Sequence, residues 1–151
     1  MAIRFYDTNA IISDCTDISN VLISSKTLEE LENIKSSSHK DNDIKYKARV
    51  AVRAIREQKP EIVVVQQIDY DKLNMMNLEI TNDNLIIASA FRYTMMNVNA
   101  DLVFVTNDVL AGLIAEEYFG LNVESINNEK DGIYKGYKVI IPTDEELASI
   151  Y

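Results

Sequence analysis

One cysteine, one histidine and no hydrophobic run long enough to cross a bilayer narrow the chemistry open to this 151-residue chain. Cys15, being alone, can close no internal disulfide and build no thiolate zinc cluster, and it fits a reducing compartment. His39, also alone and set in a serine-rich stretch read as an exposed loop, excludes Ser-His-Asp and Cys-His catalysis and multi-histidine zinc sites. A membrane span needs about 20 consecutive apolar residues, and no run approaches that length. The N-terminus, Met1-Ala2-Ile3-Arg4-Phe5-Tyr6-Asp7, lacks the basic start and apolar stretch of a secretion signal. The chain therefore reads as cytoplasmic, with no membrane partner. Basic residues are outnumbered: 15 Lys and Arg face 24 Asp and Glu, a formal net charge of −9. That balance argues against a general nucleic-acid binder, because affinity for phosphate backbones comes mainly from Lys and Arg displacing counterions.

What is present is the composition of a globular protein, 47% hydrophobic and 26% charged, in a chain long enough for one domain with one core. No repeat, low-complexity tract or linker divides it, so residues 1–151 are read as a single domain. Short β-branched runs alternate with longer helical ones, the pattern of a three-layer α/β/α fold around a central, mostly parallel sheet. Strands are expected at Ile3 to Tyr6, Val21 to Ser24, Ile62 to Val65, Leu102 to Thr106, near Val123 and at Val139 to Ile141. Ile62-Val63-Val64-Val65 reads as the clearest buried strand. Helices are expected at Leu28 to about Ile34, Ile44 to Glu57, Asn82 to about Met95, Asn107 to Phe119 closed by Gly120, and from Thr143 onward.

Four acids occupy related places in this pattern. Asp7 follows the first strand, Asp108 follows the Leu102 to Thr106 strand, Asp83 opens a helix, and Glu30 lies in the helix after the second strand. In an open parallel sheet the strand ends along one edge form the ligand crevice, so these carboxylates can converge. Clustered carboxylates raise one another's pKa unless a cation neutralises them, and hard oxygen donors suit Mg2+ or Mn2+, ions that can activate water against a phosphodiester. Three of the four, all but Asp7, also have a plain structural role open to them. Thr27-Leu28-Glu29-Glu30 has the form of a helix capping box, and Asn82-Asp83 and Asn107-Asp108 have the form of N-caps.

The order of these motifs resembles the PIN domain family: a strand ending in Asp7-Thr8-Asn9, the Glu30-Leu31 helix, the helix opened by Asp83 with Leu85-Ile86-Ile87-Ala88-Ser89-Ala90, and Thr106-Asn107-Asp108 after a strand. The likeness runs from Ile3 to about Leu113. A narrower resemblance is to the PIN domain that precedes the ATPase in PhoH-type proteins, through Leu28-Glu29-Glu30-Leu31-Glu32-Asn33-Ile34-Lys35, Ala48-Arg49-Val50-Ala51-Val52-Arg53, Gly120-Leu121 and Tyr134-Lys135-Gly136. No G-x-x-x-x-G-K-[ST] phosphate loop occurs in these 151 residues, so they are not expected to include the ATPase, and the sequence reads as either a stand-alone protein or an excised domain. The resemblance implies a metal-dependent ribonuclease with Asp7, Glu30, Asp83 and Asp108 as metal-binding and catalytic acids, and Thr8, Asn9 and Thr106 in support. It also leaves room for a PhoH-type ATPase partner, an antitoxin, or a homo-oligomer. One departure stands out: Val109-Leu110-Ala111-Gly112 follows the last acid, where that branch usually has a basic residue.

A substitute for that basic residue is visible elsewhere. Residues 26–59 carry nine basic and six acidic side chains, and Lys45, Arg49 and Arg53 recur every four residues with Arg56 beside them, one stripe along a helix. RNA phosphates are one occupant for it; an acidic partner or plain solvent are others. Two rival functions remain beside the nuclease. A phosphoryl-accepting Asp7 is disfavoured because Asn9 stands where dehalogenase-like phosphatases need a second Asp, and the acidic pair of receiver domains is missing. A PIN-fold regulatory module without turnover, or the nuclease toxin of a toxin and antitoxin pair, stays open.

Overall fold

A computed structural model of the chain describes residues 2–126. In chain order the elements are β1 (Ala2–Tyr6), α1 (Thr8–Ser13), β2 (Leu22–Ser24), α2 (Ser25–Ser36), α3 (Asn42–Gln58), β3 (Glu61–Val63), α4 (Gln67–Met75), α5 (Asn82–Met96), β4 (Asp101–Val105), α6 (Val109–Phe119) and β5 (Asn122–Glu124). The strands form one sheet in the order β3-β2-β1-β4-β5, and every neighbouring pair is parallel. β1 lies in the middle, with Phe5 in register with Leu22 on one side and Phe104 on the other.

Alternation along the strands sorts side chains between two helical layers. Phe5, Leu22, Val63, Leu102 and Phe104 turn to the face covered by α4, α5 and α6, where they meet Leu73, Leu85, Ile86 and Ala111. Tyr6 and Ile23 turn to the other face, against Ile11 of α1, Leu31 of α2, and Ala48 and Ala51 of α3. The result is the three-layer α/β/α arrangement expected from the alternating pattern, with a sheet that is parallel throughout.

Several local expectations are corrected. The run from Ile62 to Val65 is not a fully buried strand: β3 is three residues long, has β2 as its only neighbour among the described residues, and is followed by Val64, which is 59% exposed. β-branched composition favours extended backbone at an edge as much as in the centre. α2 starts three residues earlier than a Thr27 cap requires, because Ser24 accepts from the Lys26 backbone N–H and serves as the N-cap. Thr27 is therefore a buried residue inside the helix, and no capping box holds Glu30. Two helices, α1 and α4, are additional to those expected. Gly120 ends α6 in the left-handed conformation, φ 68°, as its place after Phe119 suggests. The strand expected at Val139 to Ile141, the helix from Thr143 and the Tyr134-Lys135-Gly136 element lie outside the described residues. No helix among the described residues is long and apolar enough to cross a membrane.

Candidate functional site

Because the sheet is parallel, the carboxyl ends of β1 and β4 point the same way and lie side by side. The backbone N–H of Asp7 donates to the Val105 carbonyl at 3.1 Å, which continues the ladder one step beyond β1. Asp7 then caps α1, its Oδ1 accepting from the Ala10 N–H at 2.9 Å, and it is only 5% exposed. Asp108 caps α6 in the same manner, with Oδ1 accepting from Leu110 N–H at 3.0 Å. Thr106, buried between them, joins the two: its side chain hydrogen-bonds the Asp7 carboxylate, and its Oγ1 accepts from the Asp108 N–H at 3.0 Å.

The other two acids come from α2 and α5. Glu30 is half-buried, with Oε1 accepting from the Thr8 hydroxyl and Oε2 accepting from Asn82 Nδ2 at 3.3 Å. Asp83 sits in the first turn of α5, two residues past an N-cap supplied by Thr81 rather than Asn82. Of the N-cap alternatives the sequence left open, the capping role applies to Asp108 and not to Asp83.

The electrostatics tie these acids to one another. Burial pushes the Asp7 carboxyl up from 3.8 to about 6, the hydrogen bonds from Thr106 and Ala10 oppose the rise, and the charges of Asp83 and Asp108 add to it. Asp83 is also raised, first by burial and then by Glu30 and Asp108. Asp83 thus feels Glu30 and Asp108 and itself acts on Asp7. All four named acids lie at one edge of the sheet and interact.

Among the described residues no three Asp, Glu, His or Cys side chains form a group that would hold an ion by themselves. The donor set is all oxygen, as Mg2+ and Mn2+ require, and Mg2+ keeps most of its waters while using one or two carboxylates. A buried carboxylate that resists ionisation beside two other acids is the environment a cation relieves. The donor chemistry therefore fits such an ion bound partly through water.

Of the supporting residues, Thr8 and Thr106 contact the acids directly, while Asn9 is exposed on α1. Two contributors were missed by sequence reasoning: Asn82, which reaches Glu30, and Thr27, whose Oγ1 lies 3.1 Å from Thr8 Oγ1. The sequence offered Thr27 only as a helix cap, and its contact with Thr8, 19 residues away, had no motif to announce it.

The basic stripe lies on α3, which packs on α2 through Ala48, Ala51 and Leu31. Arg49, Arg53 and Arg56 are exposed and Lys45 is half-buried. Their spacing places the four within an arc of about 80°. Among the described residues none of the four has a carboxylate partner, whereas neighbouring Lys47 pairs with Asp43 at 3.4 Å.

A parallel three-layer sheet with interacting acids along its carboxyl edge defines the class of this protein. The chain matches the PIN domain family over residues 5–127, most of its length, and belongs to that family. PIN domains are generally nucleases, which assigns hydrolase chemistry at that level. Comparison with curated proteins gives no match.

Proposed function

We propose that this protein is a metal-dependent ribonuclease, with Asp7, Glu30, Asp83 and Asp108 holding Mg2+ or Mn2+ at the carboxyl edge of the sheet. The observation that carries the reading is the electrostatic interaction of Asp83 with Asp7, Glu30 and Asp108, carboxylates delivered by the ends of β1 and β4 and by α2 and α5. When bound, the ion supplies activation of water and stabilisation of the leaving oxygen of a phosphodiester.

The remaining contributions come from the protein's own groups. Thr106 holds Asp7 and Asp108 in a fixed relation, because its one side-chain oxygen serves both. Thr8 and Asn82 hold the two oxygens of Glu30 from opposite elements. Packing around Asp7 excludes water from one side of the pocket, which strengthens every charge interaction within it. The α3 stripe supplies what Val109-Leu110 beside the last acid cannot, positive charge for RNA phosphates. From Lys45 to Arg56 it extends about 16 Å along the helix axis, a length that serves a few consecutive phosphates rather than a single anion.

The test is cleavage of a labelled single-stranded RNA with Mg2+, with Mn2+ and with EDTA, for the wild type, Asp7→Asn and Asp83→Asn. Metal-dependent cleavage that disappears in both variants supports the reading. Equal activity in wild type and variants, or none with any RNA, favours a binding module on the PIN fold.

A further inference from the structure

Glu30 is held through a hydroxyl pair whose inner member lies deep in the protein. Thr8 Oγ1 contacts Glu30 Oε1 and also stands 3.1 Å from Thr27 Oγ1. A threonine hydroxyl carries one proton, and an ionised carboxylate only accepts, so the Thr8 proton goes to Glu30 and the Thr27 hydroxyl donates to Thr8. Thr27 is 0% exposed, so water cannot take its place. The chain Thr27 to Thr8 to Glu30 runs from inside α2, across the first turn of α1, and back to the next turn of α2. Successive hydrogen bonds of this kind polarise one another in a medium of low dielectric.

We infer that Thr27 is a positioning residue: its buried hydroxyl fixes the Thr8 rotor, which in turn fixes the Glu30 carboxylate for cation binding. This rests on the metal-dependent reading of the acidic site. The geometry distinguishes the role from ordinary packing. Valine has nearly the shape of threonine and fills the same space, but it leaves Thr8 without its donor and free to rotate. Serine keeps the hydroxyl and gives up only a methyl group.

Thr27→Val and Thr27→Ser in the full chain are compared with the wild type by two measurements. Calorimetric titration with Mn2+ is expected to show about tenfold weaker binding for Thr27→Val, the scale of lost orientation behind a metal ligand, with Thr27→Ser close to wild type. NMR of the metal-free protein is expected to show one Glu30 side-chain rotamer in wild type and Thr27→Ser, and rotamer averaging in Thr27→Val. Unchanged Glu30 rotamers in Thr27→Val overturn the inference, as does a Thr27→Ser protein as impaired as Thr27→Val. If the wild type binds no Mn2+ while its Glu30 rotamers still depend on the Thr27 hydroxyl, the metal-dependent reading fails and the positioning contact stands.

Discussion

Arg92 Nε donates to Asp69 Oδ1 at 2.9 Å and Nη2 donates to Asp69 Oδ2 at 3.1 Å, a two-pronged ion pair in which the carboxylate is 2% exposed. The same Nη2 reaches the Val64 carbonyl at 2.8 Å, and Asp69 Oδ2 accepts from the Gln66 N–H, so one guanidinium ties α5 to α4 and to the segment after β3.

Removing the cation alone leaves the Asp69 charge buried without compensation. Arg92→Met is expected to lower stability by about 3 kcal/mol or more, and the double variant with Asp69→Asn by clearly less. Urea unfolding of the three proteins measures it, and a single variant no worse than the double would contradict the argument.

Asp7 makes stability depend on pH in the opposite sense to a salt-bridged acid. Its folded-state value of about 6 lies above the ordinary 3.8, so between them the folded protein keeps a proton that the unfolded chain releases. The associated stability is fully present below pH 3.8 and is lost as pH rises through 6, a difference of about 3 kcal/mol. Asp7→Asn should therefore have the higher Tm at pH 7 in EDTA, with its advantage shrinking toward pH 4. Equal melting curves at pH 7 would show that Asp7 ionises without penalty.

Divalent ions should relieve the same strain. Mg2+ or Mn2+ at about a hundred times its Kd stabilises a protein that binds it only when folded by about 2.7 kcal/mol. The wild type should melt later with either ion and Asp83→Asn should not, since Asp83 is the acid that interacts with the other three. Thermal shifts of the same size in both proteins would place the ion elsewhere.

Charge reversal on α3 separates substrate binding from the acidic site. Arg49→Glu with Arg53→Glu should weaken RNA binding and reduce the steepness of its dependence on salt by about 1.4 logarithmic units per decade, two phosphate contacts on a single strand. The Mn2+ affinity should stay as it is. RNA binding indifferent to the reversal would assign the stripe to an acidic partner or to solvent.

The residues themselves explain which of these features are legible in the sequence. Asp7 and Asp108 follow strands whose apolar runs are unmistakable, and Ala48 and Ala51 mark α3 by their period, so the sheet edge and its acids can be read directly. α1 has six residues, too few for a helical period to emerge, and α4 buries only Asp69 and Leu73. A run of β-branched residues cannot tell an edge from a centre, which is why the segment from Ile62 to Val65 reads as deeper than it lies. Glu30 is ambiguous for a different reason. The Thr27-x-x-Glu30 spacing is the same whether Thr27 caps a helix or lies inside one, and the cap supplied by Ser24 decides between them.

The strand order has a consequence for how the protein is made. β1 at the start of the chain finds its neighbour β4 nearly a hundred residues later, and Asp7 meets Thr106 and Asp108 only through that pairing. A nascent chain emerging from the ribosome holds Asp7, Glu30 and even Asp83 without yet having the pocket. A nuclease assembled this way lacks its acidic site until β4 and the start of α6 have been synthesised and folded into place.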